Sequence, residues 1–387
     1  MDENVPVNHR WAARFSVIVG LAGLVSGCMA PAPTGGSVVA TPGSASAQAS
    51  VEASLLGASS VPEQAPGGLI AVQEYKAGDA RVLTNSVFNN PLIAGVAPRI
   101  NWTDLEPGAG EFNWQIVDQV FSEAAASHKF VVLTIVPGFG TPTWALQGVA
   151  SATFARQYGP EAGQPGVLPM PWDQTYLSRW FAFLHAVAAR YGANPAFRMI
   201  SAAGPTSVSE EMSLPDVGSD VSSWIGLGYT PTKYAAAWAS VFREYLQAFP
   251  GQYISLALYP GLAIDDNGQR DAAQRGATTS SVVAEGLKAL PRFVLQGNGL
   301  VASSNGDNVY NVVQAEAGAA VTGFELTTAA TINPAREGDA ANPVHALTLA
   351  LTRGIAAHVD FLEVYEADVV NPLMQPELEQ AISLLAH

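Results

Sequence analysis

Eight short apolar runs alternate with longer segments of helical periodicity between residues 68 and 387. An apolar run of this length, bounded by turn residues, is typical of a buried strand, and the segments between the runs place their hydrophobic residues on one helical face. Strands that alternate with helices in this way favour one parallel (β/α)8 barrel, a TIM barrel, over residues 68–387. The runs comprise residues 69–75, 94–101, 130–136, 197–203, 253–259, 292–297, 320–326 and 359–365.

The competing architecture is an open, doubly wound parallel sheet. Such a sheet usually carries a glycine-rich turn after its first strand, where it holds a nucleotide. No turn of that kind follows the first apolar run. The closed barrel is therefore the favoured fold.

Helix starts are predicted where a capping residue or a proline precedes a helical pattern. The link between the first two strands is short and its helical pattern is weak. The predicted starts are at Asn113, Asp173, Thr230, Asn342 and Pro376.

The N-terminal 67 residues differ in composition from the rest of the chain. Residues 1–27 combine basic residues with a short apolar run, the pattern of a secretory signal peptide. The sequence Val25-Ser26-Gly27 before Cys28 resembles the lipobox of bacterial lipoproteins, which implies cleavage before Cys28 and its lipidation; an ordinary signal peptide with an incidental thiol is the alternative. Residues 28–67 are rich in Ala, Ser, Gly and Pro and predict a flexible linker. We therefore expect a protein of the bacterial cell envelope, lipid-anchored in the outer or cytoplasmic membrane and facing away from the cytoplasm.

Charge and cysteine content exclude several classes of function. A net charge of −15 argues against nucleic acid as a partner, and against a membrane contact other than the lipid anchor. With one cysteine, no disulfide within the chain and no cysteine-based zinc site can form. The histidines show no metal-ligand spacing, and no glycine-rich phosphate loop is present. No metal, nucleotide or other cofactor is therefore expected.

Polar and aromatic residues gather where the predicted strands end. In a barrel of this kind the active site lies at the carboxyl ends of the strands. Carboxylates there can act on a glycosidic bond, aromatic rings suit the apolar faces of sugars, and amides suit hydroxyl groups. These strand-end residues are Asn101, Trp102, Trp144, Glu210, Glu211, Tyr259, Gln296, Asn298, Glu325, Glu363 and Tyr365.

One segment carries a resemblance to a known family. Residues 101–114 have the form W-x-x-x-E-P-x-x-G-x-F-x-W, and Thr141-Pro142-Thr143-Trp144 follows the next strand. This pattern resembles clan A of the glycoside hydrolases, with most similarity to its β-galactosidase-like and β-xylosidase-like branches. The resemblance extends over residues 68–387 in layout and is strong in sequence only from about 95 to 145. It implies a retaining enzyme whose acid/base glutamate ends the fourth strand and whose nucleophile glutamate ends the seventh.

Carried onto this chain, the resemblance implies Glu211 as the acid/base, with Glu210 as the alternative, and Glu325 as the nucleophile, with Glu363 in reserve. The clan usually has Asn-Glu at the fourth strand, where this chain has Ser209 before Glu210 and Glu211. An acid/base assisted by that asparagine is therefore not expected.

The remaining strand-end residues are assigned to substrate binding. Trp102, Trp144 and Tyr259 are the predicted stacking platforms for sugar rings. Arg99 and Asn101 are expected beside the nucleophile, where Arg99 would keep it ionised. Glu210, Gln296, Asn298, Glu363 and Tyr365 complete the predicted substrate-binding set.

Two functions follow from this reading. The first is a retaining glycoside hydrolase acting on an oligo- or polysaccharide. The second is a barrel that has lost catalysis and binds glycans at the cell surface, which the missing asparagine supports. The sugar, the linkage and exo or endo action depend on loop shapes that the sequence does not determine.

Overall fold

The computed structural model describes residues 64–73, 83–157, 161–207, 209–304 and 307–385. Eight parallel strands close into a barrel in the order 68–73, 361–365, 321–326, 293–300, 253–258, 197–201, 130–136 and 93–101, so the predicted (β/α)8 fold is confirmed. All eight predicted apolar runs coincide with barrel strands. These are β1 (Gly68–Gln73), β2 (Ile93–Asn101), β3 (Phe130–Val136), β6 (Phe197–Ser201), β7 (Tyr253–Leu258), β8 (Phe293–Leu300), β9 (Val321–Leu326) and β10 (Phe361–Tyr365).

The barrel strands are apolar on both faces because both faces are covered. In β1, Leu69 and Ala71 pack in the large core between strands and helices, whereas Ile70 and Val72 belong to a second apolar cluster. Side chains alternate between the two faces of a strand, so the second cluster is the barrel interior. The apolar side chains of this second cluster fill the barrel interior below the carboxyl ends of the strands. Polar interior residues occur further along the strands, at their carboxyl ends.

Helices surround the barrel, and several begin at the predicted caps. Asp173, Thr230 and Asn342 each accept a hydrogen bond from a backbone N–H of the first helical turn. The predicted start at Asn113 is wrong: Trp114 is the N-cap and the helix begins at Gln115, while the Asn113 side chain accepts from the Gln115 amide at 3.4 Å. The helices are α1 (Asn85–Phe88), α2 (Trp102–Leu105), α3 (Gln115–Ala126), α4 (Gln174–Tyr191), α5 (Asp220–Gly226), α6 (Pro231–Ala248), α7 (Gln274–Leu287), α8 (Asn308–Glu316), α9 (Pro334–Glu337), α10 (Pro343–Ile355), α11 (Glu366–Val369) and α12 (Gln375–Leu385).

A two-stranded antiparallel sheet, absent from the sequence prediction, is inserted after β3. It pairs β4 (Ser151–Ala155) with β5 (Pro165–Pro169). The Arg156 guanidinium lies 5.1 Å from the centre of the Phe139 ring, in the loop that follows β3. The insertion therefore packs against the segment that leads from β3 into the mouth of the barrel.

The predicted signal peptide, the lipidated Cys28 and residues 28–63 of the predicted linker lie outside the described residues. Within the described ranges, no helix combines the length and apolar character required to span a bilayer.

Two buried carboxyl groups fasten the loop between β9 and α10. Glu337 accepts a hydrogen bond from the Thr328 amide at 2.9 Å, and Asp368 accepts from the amides of Ala330 and Thr331 at 2.8 and 2.7 Å. The other carboxyl oxygen of Glu337 is buried and has no hydrogen-bond partner among the described residues. Burial therefore raises the pKa of Glu337 to about 7.

Because the pKa of Glu337 is raised, we expect the free energy of unfolding to decrease as pH rises. The folded chain binds the Glu337 proton more tightly than the unfolded chain, so the free energy of unfolding should fall between about pH 5 and pH 7, by up to about 1.4 kcal/mol per pH unit from this group. The Glu337→Gln variant removes the titration, and denaturant unfolding across this range should show a shallower decrease than in the wild type. Equal slopes for the two proteins would contradict the prediction.

Candidate active site

A polar layer lies directly above the apolar interior of the barrel. Three interior apolar residues are Ala97 on β2, Val294 on β8 and Phe361 on β10. Two residues further along each strand, on the same face, the chain has Arg99, Gln296 and Glu363. The change from apolar to polar residues within each strand therefore places this layer at the carboxyl ends.

Arg99 joins two carboxyl groups from distant parts of the chain. Its Nε donates to Glu210 Oε2 at 3.1 Å, and its Nη2 donates to Glu210 Oε1 at 2.9 Å. The same Nη2 donates to Glu325 Oε2 at 2.6 Å. Arg99 is on β2, Glu325 is on β9, and Glu210 is in the segment after β6. The guanidinium therefore ties three parts of the barrel mouth together.

Glu325 is bonded through both carboxyl oxygens. Its Oε2 accepts from Arg99, and its Oε1 accepts from the Tyr365 hydroxyl at 2.6 Å. The side chain is buried, and this burial together with the charge of Glu210 leaves its pKa above the usual range, although Arg99 and Tyr365 oppose the rise by stabilising the charged form. Such a carboxyl is held rigidly and its ionised form is preferentially hydrogen-bonded.

The Glu210 and Glu325 carboxyls are close to each other. Since Glu210 Oε1 and Glu325 Oε2 contact the same Arg99 nitrogen, at 2.9 and 2.6 Å, they are no farther apart than the sum of these two distances. That limit is at the upper end of the spacing of about 5–5.5 Å between the carboxyls of retaining glycosidases, and below the roughly 6.5–9.5 Å of inverting ones.

Glu211 has different surroundings from its neighbour Glu210. Its Oε2 accepts a hydrogen bond from the Ser209 hydroxyl at 2.9 Å, and the residue keeps some contact with solvent. Partial burial, together with the negative charges of Glu210 and Glu325, raises the pKa of Glu211 to about 8. Glu211 is therefore largely protonated at neutral pH.

A chain of amides connects the deeper carboxyl Glu363 with Glu210. Gln296 Nε2 donates to Glu363 Oε2 at 2.7 Å and to Asn298 Oδ1 at 3.0 Å. Asn298 Nδ2 in turn donates to Glu210 Oε1 at 2.8 Å. All these residues belong to the predicted site, and the structure brings them into one hydrogen-bonded network with Arg99 and Glu325.

The prediction that Trp102 is a sugar platform is wrong. Its side chain is fully buried, with its ring 5.0 Å from that of Trp180 and 5.6 Å from that of Phe183. Its indole N–H donates to Glu106 Oε2 at 2.9 Å. Trp102 therefore positions the start of the loop after β2, and no ring face is available to a ligand.

The other two predicted platforms remain partly exposed. The Trp144 indole N–H donates to the Glu106 backbone oxygen at 2.9 Å, which fixes its ring beside Trp102. Tyr259 lines an open cleft at the ends of β7 and β8, together with Asn298. Asn101, at the end of β2, lies directly against Gly140, where a Cβ would come within 2.9 Å of Asn101 Oδ1.

The cleft beside Asn298 contains residues that the sequence analysis did not single out. It is open to solvent and has a cavity volume of about 240 Å³, a little below the roughly 300–1,000 Å³ of typical small-ligand sites. Its wall includes Ser304, Asp307 and Tyr310, which lie between β8 and the middle of α8. No motif marks these residues, because only the packing of α8 against β8 and β9 brings them to the mouth.

Within the described part of the chain, no group of three or more His, Cys, Asp or Glu side chains is arranged to hold a metal ion.

No protein-family model matches the chain, and no curated protein matches it in sequence. Similar solved structures include an exo-beta-1,4-mannosidase from Opitutaceae bacterium strain TAV5, with a TM-score of 0.47 and 12% identity, covering 83% of this chain. The chain spans 60% of the length of that mannosidase. The catalytic domain of the major endoglucanase from Xanthomonas campestris pv. campestris has a TM-score of 0.47 and 14% identity, covering 84% of this chain and 97% of its own. Endo-glycoceramidase II from Rhodococcus sp. has a TM-score of 0.45 and 14% identity, covering 78% of this chain and 72% of its own. At these identities none of them assigns an activity to this chain.

Proposed function

We propose that the protein is a retaining glycoside hydrolase acting on an oligo- or polysaccharide, with Glu325 as nucleophile and Glu211 as acid/base. The observation that carries the proposal is the contrast between these two carboxyls in one barrel mouth. Glu325 is hydrogen-bonded by Arg99 and Tyr365 in a way that favours its ionised form, whereas Glu211 has a pKa of about 8 and retains its proton at neutral pH. Glycosidic bond cleavage needs one carboxyl that donates a proton and another that attacks as a carboxylate, and the hydrogen bonds from Arg99 and Tyr365 suit Glu325 to the second role.

The roles follow from these protonation states. Glu211 donates its proton to the leaving oxygen while a Glu325 oxygen attacks the anomeric carbon, forming a glycosyl-enzyme ester. The ionised Glu211 then removes a proton from water, which displaces Glu325 from the sugar and regenerates both groups. Arg99 and Tyr365 keep their hydrogen bonds to Glu325 while its charge changes.

Glu210 is the alternative acid/base because its carboxyl is within retaining distance of Glu325. Both of its oxygens, however, accept hydrogen bonds from the Arg99 guanidinium, and Asn298 adds a third. Such bonds suit a carboxylate that accepts and does not donate. We therefore assign Glu210 to holding Arg99 and the substrate.

The competing function is a glycan-binding barrel without catalysis. The observation that favours it is the saturation of Glu210 and Glu325 by Arg99, Asn298 and Tyr365, together with Ser209 at the position of the asparagine expected in the clan. A binder would retain oligosaccharides without cleaving them.

Incubation of the protein with a panel of polysaccharides and aryl glycosides tests the proposal. We expect reducing sugar from at least one substrate, and NMR of the first-formed product should show the anomeric configuration of the substrate. An inverted product would contradict the roles of Glu211 and Glu325. Retardation on affinity gels without release of sugar from any substrate would establish the binding function instead.

A further inference from the structure

Glu363 is a buried carboxyl next to the proposed nucleophile. It lies on β10 opposite Glu325 on β9 in the parallel register, and its side chain is 2% exposed. Adjacent strands are about 4.8 Å apart, so the two carboxyls are neighbours in the same interior layer. The proposed hydrolysis gives Glu363 no role.

The charges around Glu363 do not support a third ionised carboxyl. The groups that face it are Glu325 on β9, Tyr365 on its own strand, Gln296 on β8, Arg99 on β2 and Glu210 after β6. The guanidinium of Arg99 donates to Glu210 and Glu325, while the donor found for Glu363 is the uncharged Gln296 amide at 2.7 Å. A buried carboxylate beside another carboxylate, without a cation of its own, is strongly unfavourable.

The side chain of Gln296 has an acceptor that no donor satisfies among the described residues. Its Nε2 contacts both Glu363 and Asn298, whereas its buried Oε1 has no hydrogen-bond partner among the described residues. The network therefore has an unused acceptor, and the hydroxyl of a protonated carboxyl would add a donor. Burial and the charges of Glu325 and Glu210 raise the pKa of Glu363 well above its usual range, against the opposing effects of Arg99 and of the hydrogen bond from Gln296.

We infer that Glu363 is a positioning residue that works as an uncharged carboxylic acid: it orients Gln296, which through Asn298 fixes Glu210 and the Arg99 guanidinium that holds the nucleophile. This inference extends the proposed hydrolase function and assigns to Glu363 a structural proton. It excludes Glu363 as a second nucleophile, because a neutral acid cannot attack an anomeric carbon.

Infrared difference spectroscopy of the full-length protein tests the protonation without requiring activity. At neutral pH we expect the wild type minus Glu363→Gln spectrum to contain the carbonyl stretch of a protonated carboxylic acid. The matched variants Glu211→Gln and Glu337→Gln identify the bands of two further carboxyls, whose pKa values are raised to about 8 and about 7. If Glu363→Gln removes no protonated-acid band, the inference is wrong.

Kinetics test the positioning role. Glutamine is uncharged and similar in shape to a protonated glutamate, so kcat/KM of Glu363→Gln should stay within about threefold of the wild type. Glu363→Leu has a similar volume but removes the hydrogen bond between Glu363 and Gln296 and leaves Gln296 bonded to Asn298 alone, so kcat should fall roughly 10- to 100-fold with little change in KM. Loss of activity in Glu363→Gln as large as in Glu325→Gln would overturn the inference.

The two proposals fail in different ways. If the wild type releases no sugar from any substrate, the hydrolase function fails, while the infrared band still decides whether Glu363 is protonated. If the wild type is active and Glu363→Gln is not, the hydrolase function stands and the neutral role of Glu363 is wrong.

Discussion

Replacing Glu325 by glutamine should reduce kcat by at least about 10⁴-fold, because the proposed glycosyl-enzyme ester can no longer form. Replacing Glu211 by glutamine should reduce it by roughly 10²- to 10⁴-fold on natural substrates, through loss of the proton donor. Glutamine keeps the volume of both side chains, so the unfolding transitions should stay cooperative. Steady-state rates on the best substrate of the panel, with circular dichroism as a check on folding, measure both effects.

The dependence on pH separates Glu211 from its neighbour. Because Glu211 must carry its proton to act as an acid, wild-type kcat/KM should fall as pH rises through about 8, the raised pKa of this carboxyl. In Glu211→Gln this alkaline decline should disappear, and aryl glycosides with good leaving groups, which need little protonation, should lose the least activity.

Glu210→Gln is the matched control, since the two residues are adjacent and only one is bonded to Arg99. It should weaken binding and keep the alkaline decline. If Glu210→Gln instead shows the leaving-group dependence and Glu211→Gln does not, then Glu210 is the acid. Full activity in both Glu211→Gln and Glu325→Gln would remove the basis of the mechanism.

The strands of this barrel were predictable from sequence because each is buried on both faces. In β3 all seven residues are buried and the run is largely apolar, and the other strands are apolar along most of their length. Eight mainly apolar runs that alternate with helical segments leave few alternatives to a closed barrel. The short antiparallel pair β4 and β5 was missed because its strands are only five residues long and rich in small residues and proline. Nothing in that composition distinguishes them from a loop.

The sequence predicted which residues belong to the candidate site better than it predicted which of them contact one another. A carboxylate within an apolar strand, such as Glu325, is costly to bury without a partner, and Arg99 was predicted to lie beside it. Their contact depends on the closure of β2 and β9 around the same interior layer, which no local pattern encodes. The error at Trp102 has a related cause: an aromatic residue at a strand end can face the mouth or the helix layer. In the structure, the Trp102 ring packs against Trp180 and Phe183 on α4, so it lies in the helix layer.

Among the single substitutions considered, Arg99→Met should lower the free energy of unfolding most, by about 3–5 kcal/mol at neutral or higher pH. The variant leaves the carboxyls of Glu210 and Glu325 buried without their cation. Lowering the pH should reduce the loss, since protonation of these carboxyls removes the uncompensated charge. Denaturant unfolding of wild type and Arg99→Met at about pH 5 and pH 8 measures both effects.

The triple variant Arg99→Met, Glu210→Gln, Glu325→Gln is the control for this prediction. It removes the cation and both anions together, so most of the lost stability should return although the site cannot function. If Arg99→Met is as stable as the wild type at pH 8, the ion pairs contribute nothing and the carboxyls are neutral without Arg99. The expected recovery in the triple variant would show that burying the charges of Arg99, Glu210 and Glu325 is costly. It would also show that the Arg99 cation is what allows an ionised Glu325 in the barrel interior.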